Sequence, residues 1–326
     1  MPEAEEKKGY TKAEEPAKAR RQFLLGVLEE HDVFSAQRER RKEILQKLEE
    51  TADKTKKCGF IGFLGSEAYG GSIDSDDIPA FGDILMSVGQ VDQLNVIINS
   101  PGGDGTIAEK IIELCRAYCN EFRVIVPNRA KSAATIVSLG SDEIVMGYCS
   151  ELGPIDAQIV VTMSGVPHYI SAQSFIDARD NLAKRFEEAK TKKLDVRPVL
   201  QQIASLDSAF IDHCEKLMDF SREVAKKYLS KYMFSKMAPA AAQRKAIQNV
   251  LEKLSAVHIF KVHGRMIDGN YARTNLKLNV RLLAKDDPMW DLIWNYYVRA
   301  DVLMSRNGVS KLLESKYEML MRQRQS

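Results

Sequence analysis

The stretch that decides the fold is Val96-Ile97-Ile98-Asn99-Ser100-Pro101-Gly102-Gly103-Asp104-Gly105, followed by a helical run from Ile107 to Tyr118 and then Phe122 to Val126. A short apolar run, a glycine-rich turn, an amphipathic segment and a second apolar run spell strand, turn, helix, strand. Cys58 to Gly65, Val124 to Val126 and Glu143 to Met146 repeat the strand texture, with helical segments between them. Strand–helix alternation of this kind predicts an α/β fold with a largely parallel sheet and flanking helices.

Around this core the texture changes. Residues 1–56 are dense in charge, with apolar positions such as Phe23-Leu24-Leu25 and Ile44-Leu45 at helical spacing, which predicts a helical arm packed on the core or on another protomer. Ser72 to Val88 predicts a loop and helix, with Asp76-Asp77 near its start, where acidic residues suit the helix dipole. Ser171 to Lys193 predicts a helix with Phe175, Ala178, Leu182, Phe186 and Ala189 on one face. Leu200 to Leu254 predicts two or three more helices, broken near Pro239. The last block opens on a strand-like His258 to Val262 and is expected to end in helices rich in Trp, Tyr and Met. The expected division is an arm over 1–56, an α/β core over 57–196, and a helical extension over 197–326 with a short return to the core near 258–285. Trp290, Trp294, Tyr296 and Tyr297 are expected to be packed core rather than subunit contact.

Composition narrows the classes of function. The chain of 326 residues has 47 basic and 45 acidic side chains, a net charge of +2, and gives no general electrostatic argument for nucleic acid. No apolar run approaches the ~20 residues of a membrane span. The polar start, Met1-Pro2-Glu3-Ala4-Glu5-Glu6-Lys7-Lys8, has no hydrophobic signal region, so a cytoplasmic location is expected. Cys58, Cys115, Cys119, Cys149 and Cys214 are read as reduced thiols; Cys115 and Cys119 lack a second pair at metal-ligand spacing, so neither metal nor cofactor is expected.

Gly102 and Gly103 can adopt positive φ and let a ligand approach the backbone closely, so their N–H groups could hold an anionic oxygen. Alone, the turn could equally be a plain strand-to-helix connection. A dinucleotide fingerprint is formally permitted by Gly103-Asp104-Gly105 with Ala108, but Val124 to Asn128, where the acidic ribose partner should fall, contains none. Ser132 stands at the next strand exit beside Ala133-Ala134, small neighbours that leave room for substrate; its commonest alternative use there is as a helix N-cap. Oxyanion turn and hydroxyl, in this order on adjacent strands, together point to acyl chemistry.

These words, Ile98 to Gly105 and Ala130-Lys131-Ser132-Ala133-Ala134-Thr135, resemble the Clp/crotonase superfamily, and the longer context resembles its serine dehydrogenase proteinase family, relatives of signal peptide peptidase A. Ser141 to Gly147 and Ser150 to Gln158 extend the resemblance, with weaker similarity at His263 to Asp268 and Leu276 to Val280. The resemblance implies a Clp/crotonase-like fold and a serine peptidase acting on extended peptides. It also implies assembly into a homo-oligomer. Ser132 would be the nucleophile, with the N–H groups of Gly103 (or Gly102) and Ala133 as oxyanion hole, and Gly102-Gly103 would pair with the substrate strand. Clp peptidases place a His where this chain has Pro154 to Gln158, which contains none; relatives of signal peptide peptidase A place a Lys where Lys184 stands. A Ser-Lys base is therefore implied. Lys184 shares a face with Asp177, Asp180 and Glu188, so the base stays open among Lys184, Lys190 and His168, with Asp156 a minor candidate for orienting it. A crotonase-like acyl-CoA enzyme using the same oxyanion pair, and a non-catalytic binding module, are the alternatives.

Overall fold

The computed structural model describes residue 27 and residues 34–67, 70–163, 166–255 and 266–323. Helix α1 (Phe34–Thr51) leads into β1 (Cys58–Gly65), α2 (Asp77–Val88), β2 (Val91–Asn99), α3 (Gly105–Ala117) and β3 (Cys119–Val126). A short β4 (Arg129–Ala130), α4 (Ala133–Leu139), β5 (Glu143–Met146) and a short β6 (Glu151–Leu152) follow. Next come the hairpin β7 (Gln158–Met163) and β8 (Val166–Ser171), and four helices: α5 (Ala172–Thr191), α6 (Arg197–Ala204), α7 (Ser208–Lys231) and α8 (Ala240–Ser255). The chain then runs through β9 (Ile267–Asp268), α9 (Gly269–Thr274), β10 (Val280–Leu282), α10 (Pro288–Arg306), β11 (Val309–Ser315) and β12 (Met319–Gln323).

Seven strands form the main sheet in the order β10-β5-β3-β2-β1-β11-β12. From β10 to β1 every neighbour is parallel; β11 and β12 are antiparallel at the far edge. The apolar runs read from the sequence are uninterrupted because these strands are covered on both faces. Ile61, Phe63, Val96, Ile98, Val124 and Val126 enter one core, under α2, α3, α4, α7 and α8. The alternate positions Phe60, Leu64, Ile97, Ile125 and Val145 enter a second core with Ile44, Leu45 and Leu48 of α1 and Trp290, Ile293 and Tyr296 of α10. Thus α1 packs on its own chain, and Trp290, Tyr296 and Tyr297 are buried. Gly62 of β1 is required by this packing, since a Cβ there would sit 1.8 Å from the Tyr296 hydroxyl oxygen.

Two expectations about local structure change. The last block does not end in helices: α10 is followed by β11 and β12, which complete the sheet edge. All seven residues of β11 are buried, so no alternation marks it, and the polar Lys311 and Glu314 inside it are paired internally rather than solvated. Second, Asp76 is the N-cap of α2 but makes no side-chain cap bond, and Asp77 turns instead to a buried ion pair with Lys311. His258 to Val262, and the arm residues Phe23 to Leu25, lie outside the described residues.

Among the described residues, no helix is long and apolar enough to cross a membrane, and no group of three or more His, Cys, Asp or Glu could hold a metal ion. All five cysteines are free thiols.

Candidate active site

The site is assembled where β2 and β3 release the chain at the same end of the sheet. Beyond Asn99 the two segments stay tied, with Ser100 N–H donating to Arg129 O at 3.0 Å and Lys131 N–H donating to Ser100 O at 3.1 Å. Asn99 Oδ1 accepts from the Arg129 N–H at 3.2 Å. This backbone bridge between Ser100 and Ala130 puts the glycine turn directly beside Ser132.

The turn is held in a conformation that only glycine adopts freely. Gly102 has φ 106° and Gly103 has φ 143°. A Cβ on Gly102 would stand 2.7 Å from Ser132 Cβ and 2.8 Å from Lys131 O. A Cβ on Gly103 would stand 2.3 Å from Ile73 O. Ile73 clamps the turn from the other side: its N–H donates to Gly102 O at 2.7 Å, and its carbonyl accepts from Asp104 N–H at 2.9 Å. Gly102 N–H is used internally, donating to Ser100 Oγ at 3.1 Å. Gly103 N–H, between those two fixed neighbours, has no acceptor among the described residues. Asp104 then caps α3 by accepting from Thr106 N–H at 2.7 Å.

Ser132 occupies the N-cap position of α4 but does not cap it. Its backbone is at φ 47° and ψ −115°, outside the region that L-residues populate readily, and its hydroxyl makes no cap hydrogen bond. A strained, non-glycine backbone of this kind costs about 1–3 kcal/mol and persists only where surrounding structure imposes it. The N–H of Ala133, first residue of α4, has no acceptor among the described residues.

A cavity of about 770 Å³ opens over these groups, with Ser132, Gly103 and Ala133 in its wall. Ile73 and Ile136 line it from the core side, and Leu217 and Phe220 of α7 line the opposite side. Its polar rim includes the carboxylates Glu67 and Asp104, and no lysine or histidine among the described residues lines it.

Ser132, Gly102, Gly103 and Ala133 are therefore brought together. The proposed bases are not at this wall: Lys184 and Lys190 are exposed on α5, and His168 is exposed on β8 opposite Val161. Lys131 runs along Gly153 to an ion pair with Glu151 at 2.8 Å. Asp156 is buried. Sequence reasoning missed Ile73, Leu217, Phe220 and Lys311. Ile73 carried no local mark, Leu217 and Phe220 reach the cavity only through packing of α7, and Lys311 touches not the cavity but the carboxylates that follow Ile73. Lys311 Nζ contacts both Asp77 oxygens at 2.8 and 2.9 Å, and Asp74 Oδ2 at 3.0 Å. Burial pushes the Asp77 carboxyl above its ordinary value, against the pull of the ammonium.

With this geometry in view, the comparisons are informative. Residues 23–181 match the family model described as ClpP-like SDH-type serine proteinase, which shows the resemblance carried by the motifs over that stretch. Two uncharacterized proteins of Methanocaldococcus jannaschii are 39% and 33% identical over 66 residues. Each match covers 20% of this chain and 23% of the relative, so the chain spans under a quarter of those proteins. Among solved structures, a serine-to-alanine mutant of the 1510-N membrane-bound stomatin-specific protease is similar at TM-score 0.27 and 14% identity, over 66% of this chain and 94% of that one. A lysine-to-alanine mutant of that protease, in complex with a substrate peptide, is similar at TM-score 0.30 and 12% identity, over 74% and 96%.

Proposed function

We propose that this chain, whose residues 23–181 match the ClpP-like SDH-type serine proteinase family, hydrolyses extended peptides through an acyl-enzyme on Ser132. The observation that carries the reading is Ser132 itself: a serine in a strained backbone, its hydroxyl not spent on capping, in the wall of a cavity beside Gly103 N–H. Strain at an uncommitted hydroxyl has no use in a mere helix start, where a relaxed serine would cap.

In the proposed reaction the Ser132 oxygen attacks a peptide carbonyl lodged in the cavity. Negative charge then develops on the carbonyl oxygen, where Gly103 and Ala133 N–H groups are free to receive it. Gly103 is favoured over Gly102 as donor because Gly102 N–H is already bonded to Ser100 Oγ. The C–N bond then breaks as the departing nitrogen takes up the proton the base received from Ser132, leaving the acyl group on the Ser132 oxygen; a water, losing its proton to the same base, attacks that ester, and the Ser132 oxygen leaves with the proton. The proton from Ser132 goes to a Ser-Lys type base, for which Lys184 is the candidate the family resemblance implies; acting there requires its amine to be neutral and brought to the hydroxyl.

A fluorophosphonate probe and a fluorogenic peptide test the reading together. Wild-type protein is expected to label and to turn over, and Ser132→Ala to do neither. Peptide turnover by Ser132→Ala equal to wild type overturns it. Lys184→Ala tests the base separately: labelling at the wild-type rate removes Lys184 from the mechanism and leaves Ser132 in place.

A further inference from the structure

We propose that Lys311, on the last hairpin of the fold, is a positioning residue for the oxyanion turn; this rests on the serine-peptidase reading above. Lys311 lies outside the stretch matched by the proteinase family. It sits in β11, paired with Gly65 of β1, and is 4% exposed. Its ammonium holds two carboxylates at the start of α2, Asp77 of its first turn through both oxygens and Asp74 of the loop before it through Oδ2.

Those carboxylates define the turn that follows Ile73. Asp77 Oδ2 accepts from Asp74 N–H at 2.9 Å, and Asp77 N–H donates to Asp74 O at 3.1 Å. Arg322 of β12 adds a second cation, at 2.8 Å from Asp74 Oδ2 and 2.8 Å from Asp76 Oδ2. Immediately before this turn, the Ile73 backbone bonds to Gly102 O and Asp104 N–H, the two groups flanking Gly103. The chain of contacts is therefore short and made of stiff pieces: ammonium, loop carboxylates, Ile73 backbone, glycine turn.

An ion pair that served only to fill the sheet edge would tie strand to strand. This one ties the strand to the loop that clamps the oxyanion donor. Without the ammonium, Asp77, 5% exposed, loses the cation it shares with Asp74, which keeps Arg322; the Asp77 carboxylate then faces Asp74 across a gap that like charge widens or fills with water. The loop then moves away from Gly103, whose N–H loses its aim.

The test uses the whole chain and the variants Lys311→Met and Lys311→Met/Asp77→Asn, with fluorophosphonate end-point titration to count active sites. For Lys311→Met, kcat per titrated site is expected to fall about 10- to 100-fold, the range for a small misplacement at a reacting centre, with KM nearly unchanged. Hydrogen exchange of the Ile73 and Asp104 amides is expected to quicken in the same variant, a readout independent of turnover. The double variant, which removes the stranded carboxylate along with the cation, is expected to recover kcat severalfold. An unchanged kcat per titrated site, or a loss confined to the number of titrated sites, overturns the inference. So does a double variant as slow as the single one, which assigns the loss to packing. If wild type labels and turns over while Lys311→Met is unimpaired, only this inference falls; if wild type does neither, the serine reading falls and takes this one with it.

Discussion

Replacing Gly102 by Ala adds one methyl group at the point where the turn touches Ser132, the proposed nucleophile. The backbone there has φ 106°, so the substitution carries a conformational cost of about 1–3 kcal/mol before any contact is considered. The new Cβ would lie 2.7 Å from Ser132 Cβ, whereas carbon atoms pack at about 3.5–4.0 Å, so the two segments must part by about 1 Å. Lys131 O, 2.8 Å away on the same side, blocks a sideways escape. A shift of about 1 Å at the reacting atoms costs on the order of 100-fold in rate. The expected outcome is therefore a fluorophosphonate labelling rate and a peptide kcat/KM both reduced about 100-fold, in a protein that still unfolds cooperatively. Gly89→Ala is the matched control, since Gly89 has φ 71° and nothing within 4 Å of the added methyl. It should lower the melting temperature through strain and leave labelling untouched. Gly102→Ala labelling within twofold of wild type would refute the reasoning, as would an equal loss in Gly89→Ala.

Other expectations concern the second core and the surface. Arg41, fully buried, donates to Glu314 from Nε at 2.8 Å and Nη2 at 3.2 Å, while Tyr296 donates to the same carboxylate at 2.9 Å. Arg41→Ala leaves the buried carboxylate with Arg38 Nη1, 3.5 Å from Glu314 Oε2, in place of its two-pronged partner, and should cost about 3 kcal/mol by urea unfolding, the low end for a broken buried pair, much of it returned in Arg41→Met/Glu314→Leu; a single-variant loss below about 1 kcal/mol contradicts this. Burial pushes the Cys119 thiol up to about 11 and raises Cys115 beyond it. Because the thiolate is the reactive form, both should alkylate slowly in native protein at pH 8 and rapidly once unfolded, and fast native labelling at Cys119 would count against the packing described. The Tyr228 hydroxyl donates to Glu113 at 2.6 Å and holds its carboxyl below the ordinary 4.5. A depressed carboxylate contributes stability above its unfolded value that is lost as pH falls through the folded one. The melting deficit of Tyr228→Phe at pH 7 should therefore shrink toward pH 3; a deficit independent of pH refutes the link.

The parts of this fold that were legible are those whose cause is local. Cys58 to Gly65, Val96 to Ile98, Val124 to Val126 and Glu143 to Met146 read as buried strands because parallel strands covered on both faces are written as continuous apolar runs. The glycine turn and Ser132 were legible because backbone freedom and a hydroxyl beside small residues are one-dimensional features. β11 was hidden by Lys311 and Glu314, whose partners Asp77 and Arg41 lie hundreds of residues upstream. The walls of the cavity were hidden for the same reason, since Phe220 and Leu217 look like any apolar stripe on α7 until that helix is laid against α4. The family resemblance nominated Lys184 as base; its exposure on α5 is a property of the folded chain.

The bond between Arg41 and Glu314 spans 273 positions of sequence. A chain growing from its amino end makes the α1 cation and apolar stripe first, and the carboxylate that neutralises the one and the strand that borders the other almost last. Until then the part of their core built by α10 and β11, including Trp290, Ile293, Tyr296 and Leu312, is missing from around Ile44, Leu45 and Leu48. Nascent chains are therefore expected to leave the apolar stripe of α1 uncovered until β11 joins the sheet.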